Sequence, residues 1–474
     1  MNFEPVIGIE IHVELKTDSK MFSSAPCSFG KMPNTQTVPY DLGCPGTMPI
    51  VNKQAVIDGI RISHALHMTI DRLIQFDRKN YFYTDLPKGY QITQQEHPIG
   101  SDGYLDVETD QGVRRIRIER AHLEEDTAKQ LHLGDMSLVD YNRAGTPLVE
   151  IVSRPDIRTA EEAMKYVEAI REIVTFLDVS DGKMEEGSMR CDVNVSLRPI
   201  GAEKLGTKCE IKNLNSIANV RSALEYEIKR QSEILLSGNQ VRQETRRYDE
   251  SKKQTSLMRI KTNAIDYKYF REPNIVPIQI SEEFVEKAIK TMHKLPSEYK
   301  KELIAAGLSS KEAEVLLASR DLVDYFDSVS ASGVKDLKIL WNYLMGDLSA
   351  FLNKDMKSIG DFKFTENDLR DFCNLISDGK INSKQAKQVI EKMYSEGTNP
   401  NRIVKDLGLE QVSDTEAIEK IVNEVLSANA QSVADFKAGH DRALGYIVGQ
   451  VMKASRGKAN PSIAKELVLK KIHG

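Results

Sequence analysis

From Val6 to Leu15 apolar and polar side chains alternate, so Ile9, Ile11, Val13 and Leu15 fall on one face of a strand and Glu10, His12 and Glu14 on the other. The same period predicts strands over 104–108, 113–120, 147–153, 190–198 and 207–213. In 190–198 it sets Asp192, Asn194, Ser196 and Arg198 opposite Cys191, Val193, Val195 and Leu197. Helical spacing takes over after Thr159, where Met164, Val167, Ile170, Val174 and Leu177 recur, and Thr159 with Glu162 predicts a capping box. A second helix is predicted over 216–236, stopped by Gly238. Beyond about residue 290 strand signals fade into short amphipathic helices, among them a capping box at Ser309–Glu312 and helical patterns over 321–326 and 334–352. Gly408, Leu409 and Gln411 suggest a hinge before a last helical stretch. The pattern predicts an α+β protein with a mixed domain over 1–292, an all-helical domain over 293–407 and a small helical tail domain over 408–474.

The polar faces carry the candidate chemistry. Glu10 and Glu14 bracket His12; Glu124, Glu125 and Asp126 follow His122; Glu150 lies on another predicted strand. Oxygen-rich sites built from one or two carboxylates per element are how proteins hold Mg²⁺ against substrate phosphates. A salt-bridged sheet face would use the same residues. Lys79, Tyr81, Tyr83, Lys88 and Tyr90 crowd one Pro- and Gly-bearing loop, suited to a phosphate or stacked base or else to plain aromatic packing. Arg190, after Glu185-Glu-Gly-Ser, offers a further cation. The P-loop-like run Gly201–Lys208 has Thr and Lys in the wrong order and precedes a strand, so it reads as a hairpin turn. His12-Val-Glu14 with Pro26-Cys27 lacks the second cysteine of a zinc deaminase, position 30 being Gly, and no Gly-x-Ser-x-Gly elbow occurs.

Composition narrows the classes. The chain is 40% apolar and 28% charged, with no run near the roughly 20 apolar residues of a membrane span and no secretory signal. Its five cysteines are odd in number and scattered, which points to a cytoplasmic protein. The formal charge of −5 gives no global nucleic-acid signal, yet residues 435–474 hold eight Lys/Arg against three acids. Such a tail suits a polyanion or is merely a solvated helical end.

Longer blocks carry a resemblance. Glu10-Ile-His12-Val-Glu14-Leu, Phe76-Asp-Arg-Lys-Asn-Tyr-Phe-Tyr83, Lys88-Gly-Tyr-Gln-Ile92, His122-Leu-Glu-Glu-Asp126, Asp140-Tyr-Asn-Arg-Ala-Gly-Thr-Pro147, Lys183-Met-Glu-Glu-Gly-Ser-Met-Arg-Cys-Asp192, Lys212-Asn-Leu-Asn215, Glu244-Thr-Arg-Arg247, Trp341-Asn-Tyr-Leu-Met-Gly346 and Gly449-Gln-Val-Met-Lys-Ala-Ser455 resemble the B subunits of the aspartyl/glutamyl-tRNA(Asn/Gln) amidotransferases, in order along the whole chain. The resemblance implies a cradle-like catalytic domain and a heterotrimer, in which the A component is an amidase (glutaminase) and the C component is a small protein. It also implies a carbon–nitrogen ligase reaction in which ATP phosphorylates the side-chain carboxylate of Glu-tRNA(Gln) or Asp-tRNA(Asn) and ammonia from glutamine displaces the phosphate. On that basis the catalytic residues are Glu10, His12, Glu125 and Glu150, which would hold Mg²⁺, with Glu124 and Asp192 supporting those ligands or holding a second metal. Lys79, Lys88 and Arg190 would contact phosphate, Tyr81 and Tyr83 would wall the tRNA 3′ adenosine, and Lys453, Arg456 and Lys458 would meet the tRNA body.

The chain departs from the family in one place. Ser23, Ala25, Val38 and Asp41 stand where many members have zinc-binding cysteines, leaving Cys27 and Cys44, too few for a tetrahedral site, so no structural zinc is expected. Two other classes compete: a non-catalytic tRNA-binding scaffold, which leaves the acids without a purpose, and a metal-dependent nuclease, which needs no ammonia-producing partner.

Overall fold

The computed structural model describes residues 3–260, 266–317, 319–409, 415–437, 442–455, 459 and 461–473; Gln411 of the expected hinge and the tail cations Arg456 and Lys458 lie outside them. The chain forms two compact units, Met1–Pro296 and Ser297–Gly474. The first is mixed and the second helical among the described residues, so the architecture is α+β.

A nine-stranded sheet organises the first unit. In chain order its strands are β1 (Phe3–Glu14), β2 (Thr69–Ile70), β3 (Gly100–Thr109), β4 (Gly112–Glu125), β5 (Pro147–Ser153), β6 (Met189–Pro199), β7 (Cys209–Lys212), β8 (Glu244–Asp249) and β9 (Gln254–Ile260). They lie in the order β9-β8-β7-β6-β1-β5-β4-β3-β2, antiparallel except between β7 and β8. β1 is central because Ile7, Ile9, Ile11 and Val13, all buried, face the core. Each such side chain is worth about 1.5–3 kcal/mol when removed from water. Helices α1 (Lys53–Ala65), α2 (Ala160–Phe176) and α3 (Ile217–Leu236) join that same core. The polar face of β1 is left half-buried.

Local signals set most boundaries. Ser216 caps α3 through the Asn219 N–H (3.2 Å), and Gly238 follows it at φ +77°. At α2 the Thr159 hydroxyl accepts from the Glu162 N–H (3.0 Å), but the Glu162 carboxylate reaches the Arg158 N–H (2.7 Å), one residue short of the reciprocal bond of a capping box. Ser309 and Glu312 make both bonds (3.3 and 2.9 Å). The strand expected over 113–120 continues to Glu125, because Leu123 keeps the apolar phase while His122 and Glu124 keep the polar one. Gly201–Lys208 does connect antiparallel strands, and a Cβ on Gly206 would fall 2.0 Å from the Leu197 carbonyl oxygen.

In the second unit the helix expected over 334–352 is interrupted. Leu337–Tyr343 and Ser349–Asp355 are α-helical, but Leu344–Leu348 is a π-helix, whose Leu344 carbonyl accepts from the Ser349 hydroxyl (2.7 Å). Ile418, Val422, Ile447, Val451, Leu467 and Val468 form a separate core among the last helices. No helix among the described residues is long and apolar enough to cross a membrane.

Candidate active site

Register across four strands turns the alternation of each into a grid. Arg190, His12, Glu150 and His122 stand opposite one another in a single row across β6, β1, β5 and β4. Asp192, Glu10, Val152 and Arg120 form the row on one side; Glu14, Leu148 and Glu124 form the row on the other. His12 Nε2 lies 3.3 Å from Glu150, 3.5 Å from Glu124 and 3.7 Å from Glu10. His122 Nε2 lies 3.2 Å from Glu150 and 3.7 Å from Glu124, while its Nδ1 is buried without a hydrogen-bond partner. The ligand atoms of Glu10, His12 and Glu150, and those of His122, Glu124 and Glu150, fall within 4.8 Å of one another. Hard oxygens with imidazole nitrogens fit a divalent cation.

The electrostatics follow from burying like charges together. Desolvation opposes the charge on both imidazoles, but Glu150 and Glu124 outweigh it and raise His12 and His122 to about 9. Burial and the neighbouring Glu150 push Glu10 up to about 7. Despite its own burial, Glu150 is held well below the usual carboxylate range by the two histidines. Burial and Asp126 raise Glu14 to about 8. Lys79 lies under the Tyr267 ring (5.0 Å), and although burial works against its charge, Glu124, Tyr269 and Glu150 raise its pKa.

The other expected residues are distributed as follows. Glu125 points away from the cluster: its carboxylate takes two bonds from Lys88 Nζ (2.5 and 2.7 Å) and one from the Ile92 N–H (2.9 Å). Arg190 Nη2 is bonded to Asp126 (2.7 Å), and Lys212 pairs with Asp192. Tyr81 is half-buried edge-on to Tyr267 (5.9 Å), and Tyr83 is exposed. Lys453 is exposed on the last turn of the Arg442–Ala454 helix. Cys27 and Cys44 are free thiols, and burial pushes Cys27 up to about 11. A cavity of about 290 Å³ borders Glu10, lined by Val6, Gly8, Val152, Asn194, Ser196 and Lys208 among others.

Residues 5–286 match the family described as the GatB/GatE catalytic domain, and 324–472 the family described as the GatB domain. The B subunit of the aspartyl/glutamyl-tRNA(Asn/Gln) amidotransferase of Geobacillus thermodenitrificans is 50% identical over 475 residues, covering all of both chains. The chain belongs to this B-subunit family. The protein of the same name from Staphylococcus aureus is 50% identical over 469 residues, 99% of this chain and 98% of its own, and that from Bacillus licheniformis is 50% identical over 475. The match therefore spans both units, including the grid and the helical segments that carry no acid cluster.

Sequence reasoning gave His122 no role of its own, although it lies two residues before Glu124 on the same strand and so shares its face. Lys212 and Tyr40, by contrast, left no local signal: their partners Asp192 and Lys88 lie 20 and 48 residues away.

Proposed function

We propose that this chain is the carboxylate-activating subunit of a tRNA-dependent amidotransferase, acting on Glu-tRNA(Gln), Asp-tRNA(Asn) or both. A side-chain carboxylate oxygen of the aminoacyl group attacks the γ-phosphorus of ATP, the P–O bond to the β-phosphate breaks, and ADP leaves. Ammonia is released from glutamine on the amidase component of an assembly completed by a small third protein, and it then attacks the acyl carbon. It loses a proton, and phosphate departs carrying the substrate's oxygen.

The observation that carries this reading is the acid–imidazole cluster on the polar face of the sheet. Phosphoryl transfer is mostly positioning and charge neutralisation. Glu10, His12, His122, Glu124 and Glu150 would hold Mg²⁺, which when bound neutralises phosphoryl oxygens. Lys79 adds a positive charge that the field of Glu124 and Glu150 stabilises. The cavity beside Glu10 has the size and largely apolar walls for a nucleobase, with Asn194 and Ser196 as hydrogen-bonding groups. Tyr81 and Tyr83 offer ring faces for the 3′ adenosine. Lys88 and Arg190, occupied by Glu125 and Asp126, serve as holders of those acids rather than as free phosphate ligands.

The test is reconstitution with the partner proteins, misacylated tRNA, glutamine, ATP and Mg²⁺. His12→Ala and Glu150→Gln should each lower tRNA-dependent ATP cleavage by about 10²–10³-fold, several kcal/mol of transition-state stabilisation. Glutamine hydrolysis on the amidase component should be unchanged. Near-normal ATP cleavage in both variants would overturn the reading, as would tRNA binding without amide formation or cleavage of the tRNA.

A further inference from the structure

Behind β4, on the side of Glu125, a second buried polar cluster begins where the acid–imidazole cluster ends. Glu124 and Glu125 are adjacent in a strand and so point to opposite faces. Glu125 is fully committed: Lys88 Nζ bonds both its oxygens, the Ile92 N–H bonds Oε1, and its carbonyl accepts from Gln91 Nε2 (2.7 Å). The Lys88 ammonium is itself caged. It sits 4.6 Å from the centre of the Tyr40 ring, 3.4 Å from the Tyr40 hydroxyl and 5.8 Å from the Tyr90 ring. A cation desolvated over an aromatic face is attracted by the ring quadrupole, so the rings select one position for it.

The turn that carries Tyr40 is fastened in turn. The Asp41 carboxylate accepts from the Ser23 hydroxyl (2.8 Å) and the Val38 N–H (3.0 Å) and faces Lys20 Nζ at 3.3 Å; Lys20 also donates to the Tyr141 carbonyl (3.2 Å). The Lys20 and Asp41 side chains are 0% and 1% exposed. A pair so buried adds little net stability, since desolvation offsets most of its attraction, but losing either partner is costly, which fixes the geometry. Gly43, at φ +70°, packs so closely on the Lys88 turn that a Cβ would lie 2.8 Å from the Pro87 carbonyl oxygen.

We propose that Tyr40 and Asp41 are positioning residues for the acid–imidazole cluster. Their turn fixes Lys88, Lys88 fixes Glu125, and Glu125 anchors the end of β4 so that Glu124 faces His12 and His122. The inference rests on reading that cluster as a divalent-cation site, and it extends the site to a turn about 80 residues before Glu124 in sequence.

Mn²⁺ titration of the intact purified chain, followed by calorimetry or paramagnetic resonance alongside circular dichroism, tests it. Tyr40→Phe keeps the ring and should bind Mn²⁺ within about twofold of wild type. Tyr40→Ala, Tyr40→Leu (which fills the space without a π face) and Asp41→Asn should bind about tenfold more weakly while staying folded, the loss typical of disturbing a ligand's support. In the reconstituted assembly the same three should raise the Mg²⁺ requirement and leave the KM for ATP unchanged, a split that general loosening of the fold would not produce. Wild-type affinity in folded Tyr40→Leu and Asp41→Asn would overturn the positioning role alone. Absence of Mn²⁺ binding by the wild-type chain would overturn the cation reading and this inference with it.

Discussion

Glu124 and Glu125 are chemically identical neighbours given different work by the period of a strand. Glu124 is 2% exposed, shares its face with His122 and meets His12 across the sheet; Glu125 is equally buried but neutralised by Lys88. Glu124→Gln should therefore weaken Mn²⁺ binding by about 10–100-fold. Glu125→Gln should have the smaller effect on affinity but lower stability by about 1–3 kcal/mol, because Lys88 keeps its charge and loses its partner. Denaturant unfolding alongside Mn²⁺ titration separates the two, and identical behaviour in both variants would contradict the division of roles. At this scale the sequence exposes which residue types converge, since alternation alone aligns Glu10, His12 and Glu14. It does not expose which of two adjacent acids is paired off, because Lys88 reaches Glu125 only through tertiary contact across 37 residues.

The elements show the same division between local and distant causes. Glu227, on α3, is completely buried and accepts from Arg230 (2.6 and 2.9 Å), Gln231 (2.9 Å) and Thr255 of β9 (2.9 Å), with Arg246 of β8 at 3.4 Å. It ties the helix to the sheet edge. Glu227→Ala should cost about 3–5 kcal/mol, since it takes from Arg230 its close carboxylate partner and from Arg246 one of two, Glu244 remaining. Although burial alone would raise its pKa, Arg230 and Gln231 hold the carboxylate below its usual range. Its contribution is thus fully present above the unfolded value, near 4.5, and is lost as pH falls through the lower folded value. Glu227→Gln should be less stable at neutral pH and lose less on acidification; parallel stability–pH curves for the two proteins would refute this. The network also explains why β8 escaped the alternation: Arg246 sits where an apolar residue would be read, and is buried because it is paired. α1 escaped because Val56, Ile57, Ile60 and Ile62 look strand-like and Gly59 looks like a breaker, whereas Gly59 lets the helix approach Leu123 (3.3 Å from a built Cβ). By contrast β5 and α3 fall where turn and capping residues place them.

For the whole molecule, the proposed tRNA substrate offers a reactive end and a large polyanionic body, and the chain offers an acid–imidazole cluster in its first unit and eight Lys/Arg against three acids in residues 435–474. Lys453 is exposed, and Lys453→Ala combined with Arg456→Ala and Lys458→Ala should weaken tRNA binding and flatten its salt dependence by roughly 0.7–0.9 in log–log slope per lost contact. Chemistry at saturating tRNA should be unaffected; an unchanged salt slope would make the tail charge a solvated surface. The long sequence blocks make the family legible along the chain, but the cluster geometry arises only when four strands distant in sequence come into register. The central claim is that the substrate's own carboxylate is phosphorylated on this chain, and one measurement reaches it directly. In the reconstituted assembly, Glu-tRNA(Gln) labelled with ¹⁸O in both side-chain carboxylate oxygens is amidated with unlabelled ATP, and the released phosphate is analysed by mass spectrometry. The account predicts one ¹⁸O in each phosphate formed with amide, and none released above background by the His12→Ala assembly. Amide formation with unlabelled phosphate would contradict it.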